Sequence, residues 1–178
     1  MKILVLNCGS SSLKYQLINM ENEEVITKGT YERIGMNNSF ITVKQDGEKI
    51  RIEHPVKNHE KALKFVFEDV LMGDDYGKIQ SLKEIDAIGH RVVHGGEKFK
   101  EAVIVTDEVI NEIREVIPLA PLHNPAALLG IEACRSVVPD MPMTVIFDTA
   151  FHQTMPESSY LYPIPYEYYE KYGVRKYG

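Results

Sequence analysis

Leu4-Val5-Leu6-Asn7-Cys8-Gly9-Ser10-Ser11-Ser12-Leu13-Lys14 decides how this chain is read. A run of strand formers feeds a tight turn of one Gly and three consecutive Ser, and Lys14 follows as the next strand begins. Leu13-Lys14-Tyr15-Gln16-Leu17-Ile18 alternates mainly apolar and polar residues, the pattern of a second strand. A turn of this composition offers backbone N–H groups and hydroxyls to one small anion, and Lys14 adds a point charge. A phosphoryl group is the ligand that suits it best. The turn is not a Walker loop, which runs from strand to helix and needs Gly-Lys-Ser/Thr at the helix start. Taken alone, it also reads as an ordinary Gly/Ser hairpin turn with a solvated lysine.

Outward from the turn, the N-terminal third reads as β. Val25 to Ile34 is a third strand, and Phe40 to Lys44 and Lys49 to Glu53 flank Asp46-Gly47, a strong hairpin signal. A helix is predicted from Asn58, its cap, to Met72, with Ala62, Leu63, Val66, Phe67, Val70 and Leu71 on one stripe. Asp86 to Val93 is the next strand, and Thr106 to Ile117 the next helix. Asn124-Pro125 reads as a cap followed by proline at the first helical position. The helix it opens, to about Val138, is apolar nearly all round and is expected to be deeply buried. Met143 to Phe147 is a buried strand ending at Asp148, and Tyr160 to Tyr177 holds at best one short helix. The order predicts one α/β domain with a mixed sheet flanked by helices.

With 178 residues, 44% hydrophobic and 26% charged, the chain is long and apolar enough to bury a core. A net charge of -6 with no basic run argues against nucleic acid as a partner. No apolar run approaches membrane length, and no signal peptide is visible, so no membrane partner is expected. Cys8 and Cys134 lie far apart in apolar contexts and read as reduced, buried thiols of a cytoplasmic protein.

Polar residues collect at three further strand ends or loops. In Gly89-His90-Arg91-Val92-Val93-His94-Gly95-Gly96, Arg91 and Val93 share one strand face, with His90, Val92 and His94 on the other. Pro118 to Pro125 is a stiff apolar loop entering a helix, and Phe147-Asp148-Thr149-Ala150-Phe151-His152 places a carboxylate past a buried strand. In open α/β sheets, sites form outside the carboxyl ends of strands, so these clusters could converge on the Ser turn. Each has a plainer reading: Arg91 as a structural ion-pair partner, Asp148 as a local cap. His90, His94, His123 and His152 could also be metal ligands, although packed core or rim residues are the commoner use.

Together, Asn7 to Lys14, Gly89 to Phe99, Pro121-Leu122-His123-Asn124-Pro125 and Phe147 to His152 resemble, in order, signature blocks of the acetate kinase family. That family belongs to the superfamily of acetate and sugar kinases, heat-shock chaperones and actin. The resemblance implies a ribonuclease H-like/actin-like domain and reversible phosphoryl transfer from ATP to acetate, giving acetyl phosphate and ADP. It implies Mg²⁺ (with Mn²⁺ as a substitute) near Asn7, and phosphate contacts from Ser10, Ser12 and Lys14. Arg91 looks like the clamp on acetate and the transferring phosphoryl group, Val93 and Leu122 like the wall around the methyl, and Asp148 like the active-site carboxylate. Members have two domains of related fold and form homodimers. Residues 1–178 are therefore expected to be the N-terminal, acid- and phosphate-binding domain, without the C-terminal nucleotide-binding domain and inactive alone. A kinase of propionate or butyrate, or a non-catalytic acyl-phosphate-binding module, stays open beside this reading.

Overall fold

Burial alternates along the first strand, with Leu4, Leu6 and Cys8 buried, Val5 exposed and Asn7 between. The computed structural model, which describes residues 1–178, makes this strand, β1 (Lys2–Cys8), central in an eight-stranded mixed sheet. On one side β1 pairs antiparallel with β2 (Ser12–Asn19), and the meander continues through β3 (Glu24–Glu32), β4 (Phe40–Gln45) and β5 (Glu48–Glu53). On the other it pairs parallel with β6 (Ala87–Val92), followed by β8 (Met143–Phe147), also parallel. The two-residue β7 (Val103–Ile104) closes that edge antiparallel to β8; sequence periodicity did not anticipate it. The Asp46-Gly47 hairpin forms with positive φ at both residues, 52° and 81°, as a primed two-residue turn requires.

The first helix is α1 (His59–Phe65), and its Asn58 cap forms: Oδ1 accepts the Lys61 N–H at 3.0 Å. Beyond Phe65 the expected α-helix widens into a π-helical turn, Val66–Leu71, with Val66, Phe67, Val70 and Leu71 all buried. Helix α2 (Asp107–Glu115) is capped by Thr106 and gives way to a 3₁₀ turn, Ile117–Leu119, at Pro118.

Two expectations for the next helix, α3 (Asn124–Val137), are corrected. Asn124 lies inside the first turn and is not its cap; His123 precedes the helix and makes no side-chain capping bond. The Asn124 carboxamide instead accepts the His94 N–H at 3.2 Å and donates to the His94 carbonyl at 2.9 Å. Burial is also not complete, for Leu129 faces solvent, 54% exposed, on the side turned from the sheet. Short helices α4 (Glu157–Tyr160) and α5 (Glu167–Tyr172) complete the chain.

Helix α3 crosses β1 and β6, with α1 and α2 packed against it, so the helices cover the sheet face carrying Leu4, Leu6, Ile88 and Val92. The opposite face carries Val5, Asn7, Lys14, Gln16, Arg91 and Ile146, and there the site forms. No helix is long and apolar enough to cross a membrane.

Candidate active site

The Ser turn is a tightly held loop. The Gly9 N–H donates to the Ser12 carbonyl at 2.8 Å, and the Ser11 carbonyl accepts the Ile34 N–H at 2.9 Å. A Cβ on Gly9 would stand 2.7 Å from Ser12 Oγ, so a larger residue here would have to displace the Ser12 hydroxyl from the cavity side of the turn. The Ser10 and Ser11 N–H groups have no acceptor within the protein.

Sheet register brings the other groups to this turn. Asn7 lies opposite Lys14 in the β1–β2 pair. Leu6 pairs with His90 in the parallel β1–β6 ladder, so the following residues, Asn7 and Arg91, stand side by side at the strand ends. Arg91 pairs with Ile146 on β8, which places Asp148 two residues farther along the same face. A cavity of about 320 Å³ results, and Asn7, Ser10, Ser12, Lys14, Arg91, Val93 and Leu122 all line it. Asp148, the remaining residue singled out from sequence, is not in the lining and stands behind Arg91. Cys8, Gly9, His123 at the head of α3, and Ala127 one turn in also line it; sequence reasoning placed the His123 loop near the turn but gave Ala127 no place here.

Arg91 and Asp148 form a bidentate pair, with Nε donating to Oδ1 at 2.9 Å and Nη2 to Oδ2 at 2.6 Å. The Asp148 carboxylate raises the Arg91 pKa, so the guanidinium keeps its charge at any working pH. The pair engages one edge of the guanidinium and leaves the Nη1 edge for an anion in the cavity. Both side chains are nearly half exposed, so the pairing contributes orientation more than stability.

His90 and His94 serve packing. His90 is buried on the helix side of β6, its Nε2 without a partner, and burial pushes its pKa down to about 4. His94 is buried too, accepting the Gly96 N–H on Nδ1 at 3.0 Å and meeting the Tyr177 ring edge-on. Its backbone is the one the Asn124 carboxamide grips, which fixes the Leu122–His123 loop against Val93. Leu122 is 81% exposed and so forms the cavity mouth. Burial pushes the Cys8 thiol up to about 12, keeping it protonated beneath the turn.

The sequence model of the acetokinase family matches residues 2–178. The chain belongs to the acetokinase family. It is 59% identical over its full length to an acetate kinase of Thermoanaerobacterium thermosaccharolyticum, covering 44% of that protein. It is 58% identical to one of Caldanaerobacter subterraneus subsp. tengcongensis, again covering 44%. The crystal structure of Porphyromonas gingivalis acetate kinase superimposes with a TM-score of 0.95 at 49% identity, over 99% of this chain and 44% of that one. A propionate kinase of Francisella tularensis superimposes with a TM-score of 0.91 at 41% identity, over 99% and 44%. This acetokinase chain thus has the actin-like α/β fold and spans under half the length of the relatives it matches.

Proposed function

We propose that the full-length protein is an acetate kinase, transferring a phosphoryl group reversibly from ATP to acetate. The observation that carries this is the meeting of three kinds of group in one cavity: the Ser turn, a guanidinium edge and a small apolar wall. In this reading residues 1–178 are the N-terminal, acid- and phosphate-binding half, and a C-terminal domain holds the nucleotide's adenosine. The chain alone binds phosphate weakly and does not turn over, because no second domain excludes water from the cavity. In this reading the protein works as a cytoplasmic homodimer with no nucleic-acid or membrane partner; the net charge of -6 speaks against nucleic acid, and the buried free thiols fit a reducing compartment.

The chemistry is positioning and charge stabilisation. Arg91 holds the acetate carboxylate through its free edge, and Val93 and Leu122 enclose the methyl. Ser10, Ser12 and Lys14 hold the oxygens of the phosphoryl group as it passes in line to a carboxylate oxygen. Acetate needs no general base, since a carboxylic acid with a reference pKa of about 4 is already ionised at pH 7. Asp148 therefore acts by fixing the Arg91 fork and not as a proton acceptor. Mg²⁺ takes hard oxygen ligands, relying on one or two protein groups plus phosphates and water, so the Asn7 carboxamide oxygen at the cavity fits as a protein group for the ion. When bound, Mg²⁺ (or Mn²⁺) neutralises phosphate charge.

The decisive experiment is an ATP-forming assay on the full-length protein with acetyl phosphate and ADP. Turnover at ordinary enzyme rates is expected, and none with either acetyl or propionyl phosphate would sink the reading in favour of a binding module. The propionate kinase neighbour raises acid selectivity as a second question, and Val93 answers it. One methylene is worth roughly 10–200-fold in kcat/KM in an apolar pocket. Val93→Ala makes room for about one, so the propionate-to-acetate kcat/KM ratio should rise about tenfold with acetate turnover little changed. An unchanged ratio would place the methyl pocket elsewhere.

A further inference from the structure

One polar contact to the Ser turn comes from outside the strands. His59, the first residue of α1, is only 7% exposed, and its Nε2 lies 2.7 Å from the Gly9 carbonyl oxygen. A carbonyl can only accept, so Nε2 carries the proton and donates. The neighbouring Asn58 cap and the burial of Ala62 and Leu63 hold α1, and with it the imidazole, in place.

We infer that His59 is a positioning residue that aims the Ser10 N–H into the phosphate cavity; the inference rests on the phosphoryl-transfer reading above. The Gly9 carbonyl and the Ser10 N–H belong to one planar trans peptide and point in opposite directions. Holding the oxygen toward α1 turns the N–H away from α1, at a residue that borders the cavity. That N–H has no protein acceptor and is free for a ligand oxygen. Gly9 is permissive about its backbone angles, so its own conformation does not prevent the peptide from rotating. Without the imidazole, the rotated peptide would point its carbonyl oxygen at the incoming phosphate, replacing a donor with a repulsive acceptor. The Gly9 N–H bond to Ser12 and the Ile34 bond to Ser11 do not hold the Gly9–Ser10 peptide itself; the bond from His59 does.

The test compares His59→Leu, which fills the space without a donor, with His59→Gln, whose amide N–H reaches about as far as Nε2. In the full-length protein, His59→Leu should lower kcat roughly 10–100-fold, the scale of an ångström-level misplacement. The KM for acetate should change less than about twofold, because the acid is held at Arg91. His59→Gln should recover most of the rate. Independently of turnover, titration with inorganic phosphate should shift the Ser10 amide resonance in wild type and His59→Gln, but not in His59→Leu. An equal Ser10 response in all three proteins would overturn the inference. So would a Gln variant as impaired as Leu, with both melting earlier, since His59 would then be packing only. Absence of acetate turnover in wild type would sink the kinase reading, while the Ser10 comparison would still decide the role of His59.

Discussion

Arg91→Ala in the full-length protein should lower kcat for acetate phosphorylation by roughly 10²–10³, about 3–4 kcal/mol, and leave the affinity for ATP nearly unchanged. The expectation follows from the division of the guanidinium into two edges. Asp148 takes Nε and Nη2, so the Nη1 edge is held in one direction before any substrate arrives. A donor preorganised toward developing charge contributes most in the transition state, which is why its loss appears in kcat. Removing Arg91 also leaves the Asp148 carboxylate without its cation, next to a site that must accept two anions. Arg91→Lys keeps the charge but cannot span both carboxylate oxygens while offering a second edge, so it should recover only part of the rate. Wild-type activity in Arg91→Lys would show that a point charge suffices and that the clamp geometry is irrelevant. Asp148→Asn, which retains one acceptor oxygen, should be milder than Arg91→Ala and leave the pH profile above pH 6 unaltered. A loss in Asp148→Asn as large as that in Arg91→Ala would instead mean that Asp148 does more than orient the guanidinium, a difference that the two kcat values read directly.

The cavity was legible because its residues fall where strands stop. The alternation along β1, β2 and β6 specifies which side chains share a face, and parallel pairing of β1, β6 and β8 puts their carboxyl ends together. Local signals therefore marked the clusters around Lys14, Arg91 and Asp148, while a role for each of them and for Asn7 came from the resemblance to the acetate kinase family. The local signals failed where a residue's partner is remote in sequence. Asn124 before proline has the composition of a helix cap, yet its carboxamide is claimed by the His94 backbone, 30 residues away. His59 sits among charged residues at a helix start, so nothing nearby marks it as buried against Gly9, 50 residues back. β7 is too short for any periodicity to show. Leu129 belongs to an apolar stretch whose composition suggests a fully buried helix, but α3 packs on one side and turns that residue to water. What one sequence conceals here is the long-range hydrogen bonding that ties loops to the sheet, and in this fold those bonds surround the site.

The second large effect expected is a loss of stability in mild acid that traces to His90. Its imidazole is 3% exposed, Nε2 has no hydrogen-bond partner, and burial alone holds the folded pKa near 4, against a reference of 6.5. Below pH 6.5 the unfolded chain takes up a proton that the folded chain refuses until about pH 4, so the unfolded state binds more protons across that interval. Stability must then rise with pH through the window, complete above 6.5 and lost as pH falls toward 4. With these two values, linkage gives a loss of about 2 kcal/mol at pH 5 and about 3 kcal/mol at pH 4 from this residue. His94, whose pKa burial also lowers, adds to the loss in the same direction. Urea unfolding of wild type and His90→Leu at pH 7, 6, 5 and 4 separates the contributions. The variant should lose less stability than wild type between pH 7 and 4. Parallel pH curves would mean that His90 takes up its proton as readily folded as unfolded. Because Arg91 follows His90 on the same strand, any loosening there reaches the clamp, so activity and stability should decline together below pH 5.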